Sequence, residues 1–220
     1  YVDEDTKEEY WIVDAAYNFA AVVGATATPA DAMPTTLNPL ADANMNLKDM
    51  LYASESVAKA TADQGTINFT FEHLLSKVQF TVTSTATGSY SHSITDISVK
   101  NFSDATYTIA GGTWSTFNPD ATATPDKDVE FDDITGVTNT GSKTNATQML
   151  LIPTDDDFTV SFTVNVLKNG TTVSSTPKTV TVTNPLVKGH AYNFTIDCQS
   201  NSAIKFSVNN NPTGWANGGG

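Results

Sequence analysis

Cys198 is the only cysteine in 220 residues, so no disulfide can form within the chain and a structural, buried thiol is the reading for it. Arginine is missing altogether: the 11 basic residues are all lysine, set against 24 acidic ones, and the net charge is −13. A nucleic-acid backbone needs a basic patch on its protein, so that class of partner is excluded. No run of about 18 apolar residues occurs, which excludes a helical membrane span. No charged-then-apolar leader opens the chain either, so if the protein is exported its leader has been removed. Only 16% of residues are charged, and Thr, Ser and Asn fill the gap. Such a polar, weakly charged surface suits an extracellular β protein. At this length roughly 70% of the unfolded surface is buried on folding, enough for one large or two small domains without staples.

What the chain does have is strand patterning. In FTFEHLLSKVQFTV (Phe69 to Val82), Phe69 and Phe71 point one way, the doublet Leu74 and Leu75 breaks the alternation, and Val78, Phe80 and Val82 resume it. A shift of register sends the second apolar set in a new direction, so one long stretch serves two cores. A single bulged strand in one large sheet is the alternative. The change from Ala-rich sequence before the break to Thr-rich sequence after it favours two.

Tyr1 to Glu9 is an acidic arm, and Tyr10 to Val23 reads as a strand with Val13, Ala15, Tyr17, Phe19 and Ala21 on one face, ended by a turn at Gly24. Ala25 to Asn46 reads as mostly loop, Leu47 to Ala53 as a short strand, and Ser54 to Gly65 as a linker or brief helical turn. Farther on, Ile94, Ile97 and Val99 mark one strand, Tyr107 and Ile109 another, and Gly111-Gly112 a turn leading to Trp114 and Phe117. Asn118 to Lys127 reads as a loop, and Met149 to Ile152 as a short apolar run. Phe158, Val160, Phe162, Val164 and Val166 alternate with polar residues without a break. Asn169-Gly170 then marks a type I′ hairpin, because both residues tolerate positive φ. Pro177 puts the return strand, Thr171 to Thr183, at an edge or bulge. Tyr192, Phe194, Ile196 and Cys198 line one face of a further strand, and Ile204, Phe206 and Val208 repeat the pattern. The fold class is all-β, built from antiparallel sandwich modules.

Chemistry is sparse. No two of His73, His92 and His190 stand at the i, i+2 or i, i+4 spacing of metal ligands. Asp155 to Asp157 has the carboxylates a calcium ion accepts, but a solvated turn at a strand entrance is the commoner meaning of such a run, as for Asp132 and Asp133. Nothing brings Glu72, Glu130 or the Asp clusters together as a glycosidase pair. G-x-S-x-G, P-loop and Rossmann patterns are missing, so no catalytic residue, cofactor or metal ligand is assigned. The sequons at Asn68, Asn101, Asn145, Asn169 and Asn193 are what a Thr-rich chain yields by chance.

The phrase F-x-H-L-L-S-K-V (Phe71 to Val78) resembles the signature of the fimbrillin-like proteins of Bacteroidales, subunits of surface pili. YWIVDAAYNFAAVV (Tyr10 to Val23), DMLYA (Asp49 to Ala53) and LVKGHAYNFTI (Leu186 to Ile196) agree with it in the family's order. The resemblance implies a transthyretin-like sandwich in each half: an N-terminal module over 1–72, incomplete at its start, an autonomous sandwich over 73–208, and a polar tail over 209–220. It implies export to the cell surface as a fimbrial, outer-membrane protein, from a lipid-anchored precursor trimmed after a basic residue. Its partners would be copies of itself or related pilin subunits, or, for a tip or surface adhesin, a host or bacterial ligand. In the tail, marked by Asn209, Pro212, Trp215 and Gly218, Trp215 to Gly218 resembles the family's W-x-x-G phrase, and the resemblance implies a C-terminal segment that extends into the groove of a neighbour; a frayed terminus with one docked aromatic is the alternative.

Overall fold

The computed structural model describes residues 16–29, 32–42, 46–58, 66–102, 105–116, 127–139, 141–183, 186–199, 204–208 and 213–214, and every regular element among them is a β-strand. The chain starts with β1 (Ala16–Val23), β2 (Ala25–Thr28), β3 (Thr36–Pro39) and β4 (Leu51–Ala58). The stretch around Leu74 holds β5 (Glu72–His73) and β6 (Ser76–Ser84). Then follow β7 (Tyr90–Asn101), the hairpin β8 (Ala105–Thr108) and β9 (Thr113–Thr116), and four short strands, β10 (Lys127–Phe131), β11 (Ile134–Val137), β12 (Ser142–Thr144) and β13 (Met149–Leu151). The long hairpin β14 (Phe158–Lys168) and β15 (Thr171–Val182) precedes β16 (His190–Cys198), β17 (Ile204–Val208) and β18 (Thr213–Gly214).

Two of the four sheets face each other as a large sandwich. One has the order β10-β7-β14-β15, with β11 also on β7; the other has the order β12-β6-β16-β17, with β13 on β6 and β18 on β16. Between them lies a core of Val78, Phe80 and Val82 from β6, Ile94, Ile97 and Val99 from β7, Phe158 to Val164 from β14, and Tyr192 to Cys198 from β16. Each fully buried Val or Phe contributes about 1.5–3 kcal/mol before entropy is counted. The two smaller sheets, β1-β4-β5 and β2-β3-β8-β9, close on a second core of Leu37, Met50, Leu74, Leu75, Phe102, Ala105, Tyr107 and Ile152.

The stretch thus serves two cores, as its pattern predicts, but it is the doublet Leu74-Leu75 and not the face of Phe69 and Phe71 that enters the second core, while Val78, Phe80 and Val82 enter the first. β13 repeats the device, with Met149 and Leu151 in the large core and Leu150 and Ile152 in the small one. Strands from both sides of residue 72 share the small core, because β8 hydrogen-bonds to β3 (Leu37 opposite Tyr107).

The three-residue step from Ile94 to Ile97 marks a bulge. Thr95 pairs with Thr163 and Ser98 with Ser161, so Asp96 and Ile97 together face Phe162. Asp96 takes the extra position at φ 53°, its N–H bonded to Asp133 Oδ1 at 3.1 Å, and both isoleucines reach the core. The Asn169-Gly170 turn has the positive φ values its sequence calls for, 52° and 80°. Pro177 lies on β15, the outer strand of its sheet, in register opposite Thr163; the register shift of this hairpin is at Val166/Leu167 instead. Gly24, at φ +68°, leaves no room for a side chain, since a Cβ there would collide with the Asp49 carbonyl.

Three expectations need correction, and one pairing within the antiparallel fold was not foreseen. Ala25 to Asn46 is not mostly loop: β2 and β3 pair along Ala25 to Pro39, drawn into a sheet by the distant β8, a partner no local pattern reveals. The strand expected at Leu47 to Ala53 is displaced to Leu51–Ala58, because β4 follows β1 in register as far as Ala16 opposite Ala58; its polar Ser54, Glu55 and Ser56 are exposed. Thr66 to Phe71 forms no strand, and Phe69 and Phe71 are half-buried with ring centroids 6.2 Å apart. One pairing is parallel: β16 lies beside β6, Phe194 opposite Phe80, while every other pairing between named strands is antiparallel. More than a hundred residues separate β6 from β16, so no hairpin constrains their direction. Tyr10 to Ala15, Phe117 and the loop up to Asp126 lie outside the described residues.

Candidate functional site

The outer strands differ in how they guard against added strands. β15 carries Pro177, which lacks a donor, and Lys178; β10 carries Lys127, Asp128 and Glu130. Prolines and charges are common protections of a sheet edge. β1, the end strand of the order β1-β4-β5, reads AYNFAAVV, with neither charge nor proline. Its Val22 packs against the smaller core. Among the described residues the large core has 22 buried members and one partly buried neighbour, Val180, whereas the small core has eight and eight: Val22, Ala25, Ala27, Leu47, Tyr52, Ile109, Trp114 and Leu150 pack against it partly buried.

At the seam between the cores lies a cleft of about 610 Å³. Its floor includes Phe102 of the small core and Leu186 of the large one; Trp114 and Gly112 come from the β8–β9 hairpin, Asp155 and Asp156 from the turn before β14, and Val187 and Lys188 from the turn before β16. Trp114 donates its Nε1–H to the Leu74 carbonyl at 3.2 Å and packs against Tyr107, centroids 5.3 Å apart. Thr154 exchanges both backbone hydrogen bonds with Leu186, and its Oγ1 accepts the Asp156 N–H, which fixes the acidic turn to the opposite wall. Lys188 Nζ donates to Tyr107 Oη at 3.1 Å and to Glu72 Oε2 at 3.2 Å. Burial alone would lower its pKa, but these two hydrogen bonds and their charges outweigh it and the net shift is upward, so the ammonium stays charged.

Each histidine is tied locally. His73 Nδ1 lies 3.0 Å from Asp49 Oδ1, and His190 Nδ1 donates to the Lys188 carbonyl at 2.9 Å. His92, 3% exposed, meets Ser84 Oγ at 2.8 Å, and that oxygen also accepts the Ala86 N–H. A serine beside a histidine suggests a nucleophile, but with Ser84 only 4% exposed the pair is out of a substrate's reach and serves as a latch on the β6–β7 turn. Burial lowers the His92 pKa below the ordinary 6.5. The unfolded chain therefore binds the extra proton first on acidification: the contribution of His92 is complete above about pH 6.5 and lost as pH falls through and below that value. Urea midpoints at pH 7.5 and pH 5 should fall further apart in the wild type than in His92→Gln; equal separations would refute this role.

Burial, with help from Asp197, pushes the Cys198 thiol up to about 11, which leaves it protonated and inert at neutral pH. Asp155, Asp156 and Asp157 are exposed, and among the described residues no three His, Cys, Asp or Glu side chains come together as a metal site. Asn209, Pro212, Trp215 and Gly218 lie outside the described residues. Two residues noted in the sequence only as sequons have structural roles. Asn145 Oδ1 accepts the Phe80 N–H at 2.7 Å in the gap between β12 and β13, and Asn101 bonds both backbone groups of Ile152. An asparagine beside strand residues is the one available signal, and it does not name its partner.

These features define an all-β protein with two cores, one large and one small, and a polar-and-aromatic cleft where they meet. The chain belongs to the fimbrillin-like family, whose sequence model matches residues 2–212. Among solved structures it is similar to a candidate cell adhesion protein from Bacteroides ovatus, with a TM-score of 0.56 and 15% identity over 98% of this chain and 74% of that one. Candidate cell adhesion proteins from Bacteroides uniformis (TM-score 0.47, 15% identity, 96% and 70% covered) and Bacteroides eggerthii (0.46, 14%, 81% and 69%) are also similar. At 15% identity the likeness to the Bacteroides ovatus protein shows the fold alone. No curated protein matches the chain.

Proposed function

We propose that the chain is a structural subunit of a bacterial surface pilus that polymerises through a strand supplied by its neighbour and serves cell adhesion. Membership of the fimbrillin-like family supports the pilus, and one observation supports the strand: among the described residues the small core has as many partly buried apolar residues packed against it as buried ones, and its end strand β1 carries neither charge nor proline. An added strand gains main-chain hydrogen bonds while its side chains cover such residues. In this reading residues 1–72 form the accepting module, residues 73–208 the larger transthyretin-like sandwich, which lends the β8–β9 hairpin to its neighbour, and Asn209 to Gly220, with Pro212, Trp215 and Gly218, the donor. Exchange of this kind is head-to-tail and gives a filament. The subunit would sit on the outer membrane after export of a lipid-anchored precursor; no catalytic role is proposed.

Deleting 209–220 from the full-length protein should leave folded subunits on cells without fibres and abolish SDS-resistant ladders. Normal fibres by negative-stain microscopy would rule out the tail as donor. A second reading, a tip or surface adhesin gripping a host or bacterial ligand, is favoured by the seam cleft; the relatives described as candidate cell adhesion proteins agree with it.

A further inference from the structure

We infer that the seam cleft between the β8–β9 hairpin and the turns before β14 and β16 is a binding site for a neutral carbohydrate. The inference rests on the adhesin reading and not on strand exchange. The volume, about 610 Å³, lies within the roughly 300–1,000 Å³ typical of small-ligand sites. Its walls carry charge of both signs. Asp155 and Asp156 repel an anion, and Lys188, on the turn before β16, sets one ion-paired positive charge beside them. An apolar ligand would cover the Asp155 and Asp156 carboxylates without giving them partners, which costs free energy. A neutral molecule carrying many hydroxyls answers both signs: hydroxyl protons donate to the carboxylates, and a hydroxyl oxygen accepts from the ammonium.

The aromatic wall supplies the remaining requirement. The polar atom of Trp114 is committed to the Leu74 carbonyl, so the half-exposed indole offers the cleft carbon surface only, against which the C–H face of a sugar ring can lie. Phe102 and Leu186 continue that apolar floor, and Gly112 adds no side chain to obstruct entry. The site is also held in shape. The Thr154–Leu186 bridge fixes the acidic turn, and Lys188 is anchored from behind by Tyr107 and Glu72, so little order has to be created on binding.

The test uses the full chain in solution, titrated calorimetrically with a panel of neutral oligosaccharides (manno-, galacto-, gluco- and xylo-), with a sialylated glycan and an oligolysine peptide as charged comparisons. Saturable binding of at least one neutral member is expected. A hydrogen bond to a charged group contributes about 1.5–3 kcal/mol, so Asp155→Asn/Asp156→Asn should weaken that binding at least about tenfold. Both side chains are exposed, so the melting temperature should not change. Trp114→Phe, which keeps an aromatic surface, should weaken it less. Binding of the sialylated glycan or the peptide alone, no binding by any neutral member, or equal affinity in the double variant overturns the inference. If the double variant binds no sugar less well and its cells still adhere to a protein-coated surface, the cleft proposal falls while the adhesin reading stands.

Discussion

Replacing Phe80 by alanine will destabilise the protein by about 3–5 kcal/mol, the range for large-to-small changes at fully buried aromatic sites. Phe80 has no exposed surface and lies between Phe131, edge-on with centroids 4.8 Å apart, and Phe194 at 5.3 Å. Those partners sit on β10 and β16, so the ring touches both sheets of the large sandwich. Its backbone is held as well: Asn145 Oδ1 accepts the Phe80 N–H and the Asn145 N–H donates to the Phe80 carbonyl. The main chain therefore cannot easily move inward to fill the space, and most of the cavity will persist. Against a total stability of about 5–15 kcal/mol for a typical domain, the loss is large. Urea unfolding followed by circular dichroism should show an earlier midpoint at unchanged slope. A loss below about 1 kcal/mol would mean that the two sheets do not close around this ring as described.

The large sandwich was legible in the sequence because its strands carry their own evidence. β14 and β16 alternate strictly, and the faces read from them are the buried ones, Tyr192 to Cys198 throughout and Phe158 to Val164 on β14, where the expected fifth residue, Val166, is only partly buried. The Asn-Gly turn names its own geometry. The two-core arrangement was legible at one place, Leu74-Leu75, since a doublet cannot be accommodated by a period of two. The small sheets were harder to read. β2 reads ATAT and β3 reads TLNP, and only Leu37 is fully buried in the pair; what makes them strands is β8, about seventy residues away. The direction of β16 beside β6 was likewise hidden, because alternation gives a face but not a neighbour.

The cleft was not foreseen at all, although several of its residues were noted individually. Asp155 and Asp156 read as a solvated turn, which they are, and Trp114 as a strand residue, which it is. What joins them is the Thr154–Leu186 bridge and the return of the β8–β9 hairpin to the small core, both products of tertiary pairing. Lys188 belongs to the same class: its three-way contact with Glu72 and Tyr107 connects positions that are 116 and 81 residues away in sequence. As a partly exposed ion pair it adds at most about 1 kcal/mol, so its contribution is to position the ammonium rather than to hold the fold.

Asn101→Ala should cost about 2–5 kcal/mol, although its removal deletes only a small side chain. Asn101 is 1% exposed; its Oδ1 accepts the Ile152 N–H at 2.9 Å and its Nδ2 donates to the Ile152 carbonyl at 3.1 Å, so one amide side chain stands in for a strand partner. Alanine leaves both Ile152 groups buried without these bonds, and each orphaned group costs about 1–3 kcal/mol. The damage falls at the joint between the cores, since Phe102 next to Asn101 and Ile152 itself belong to the small core while β7 and β13 build the large one. Asn101→Asp separates the two bonds. At neutral pH its carboxylate still accepts the N–H but faces the carbonyl without a proton to donate, and burial penalises its charge, so this near-isosteric change should be at least as harmful as alanine. Its folded-state pKa is then raised above the unfolded value, so the penalty should shrink as pH falls toward the folded pKa and the protonated acid regains its donor. Urea midpoints of the wild type and both variants at pH 7 and pH 5 measure this. An Asn101→Ala loss within about 0.5 kcal/mol, the scatter of an ordinary surface change, would show that Ile152 finds other partners and that the joint does not depend on this amide.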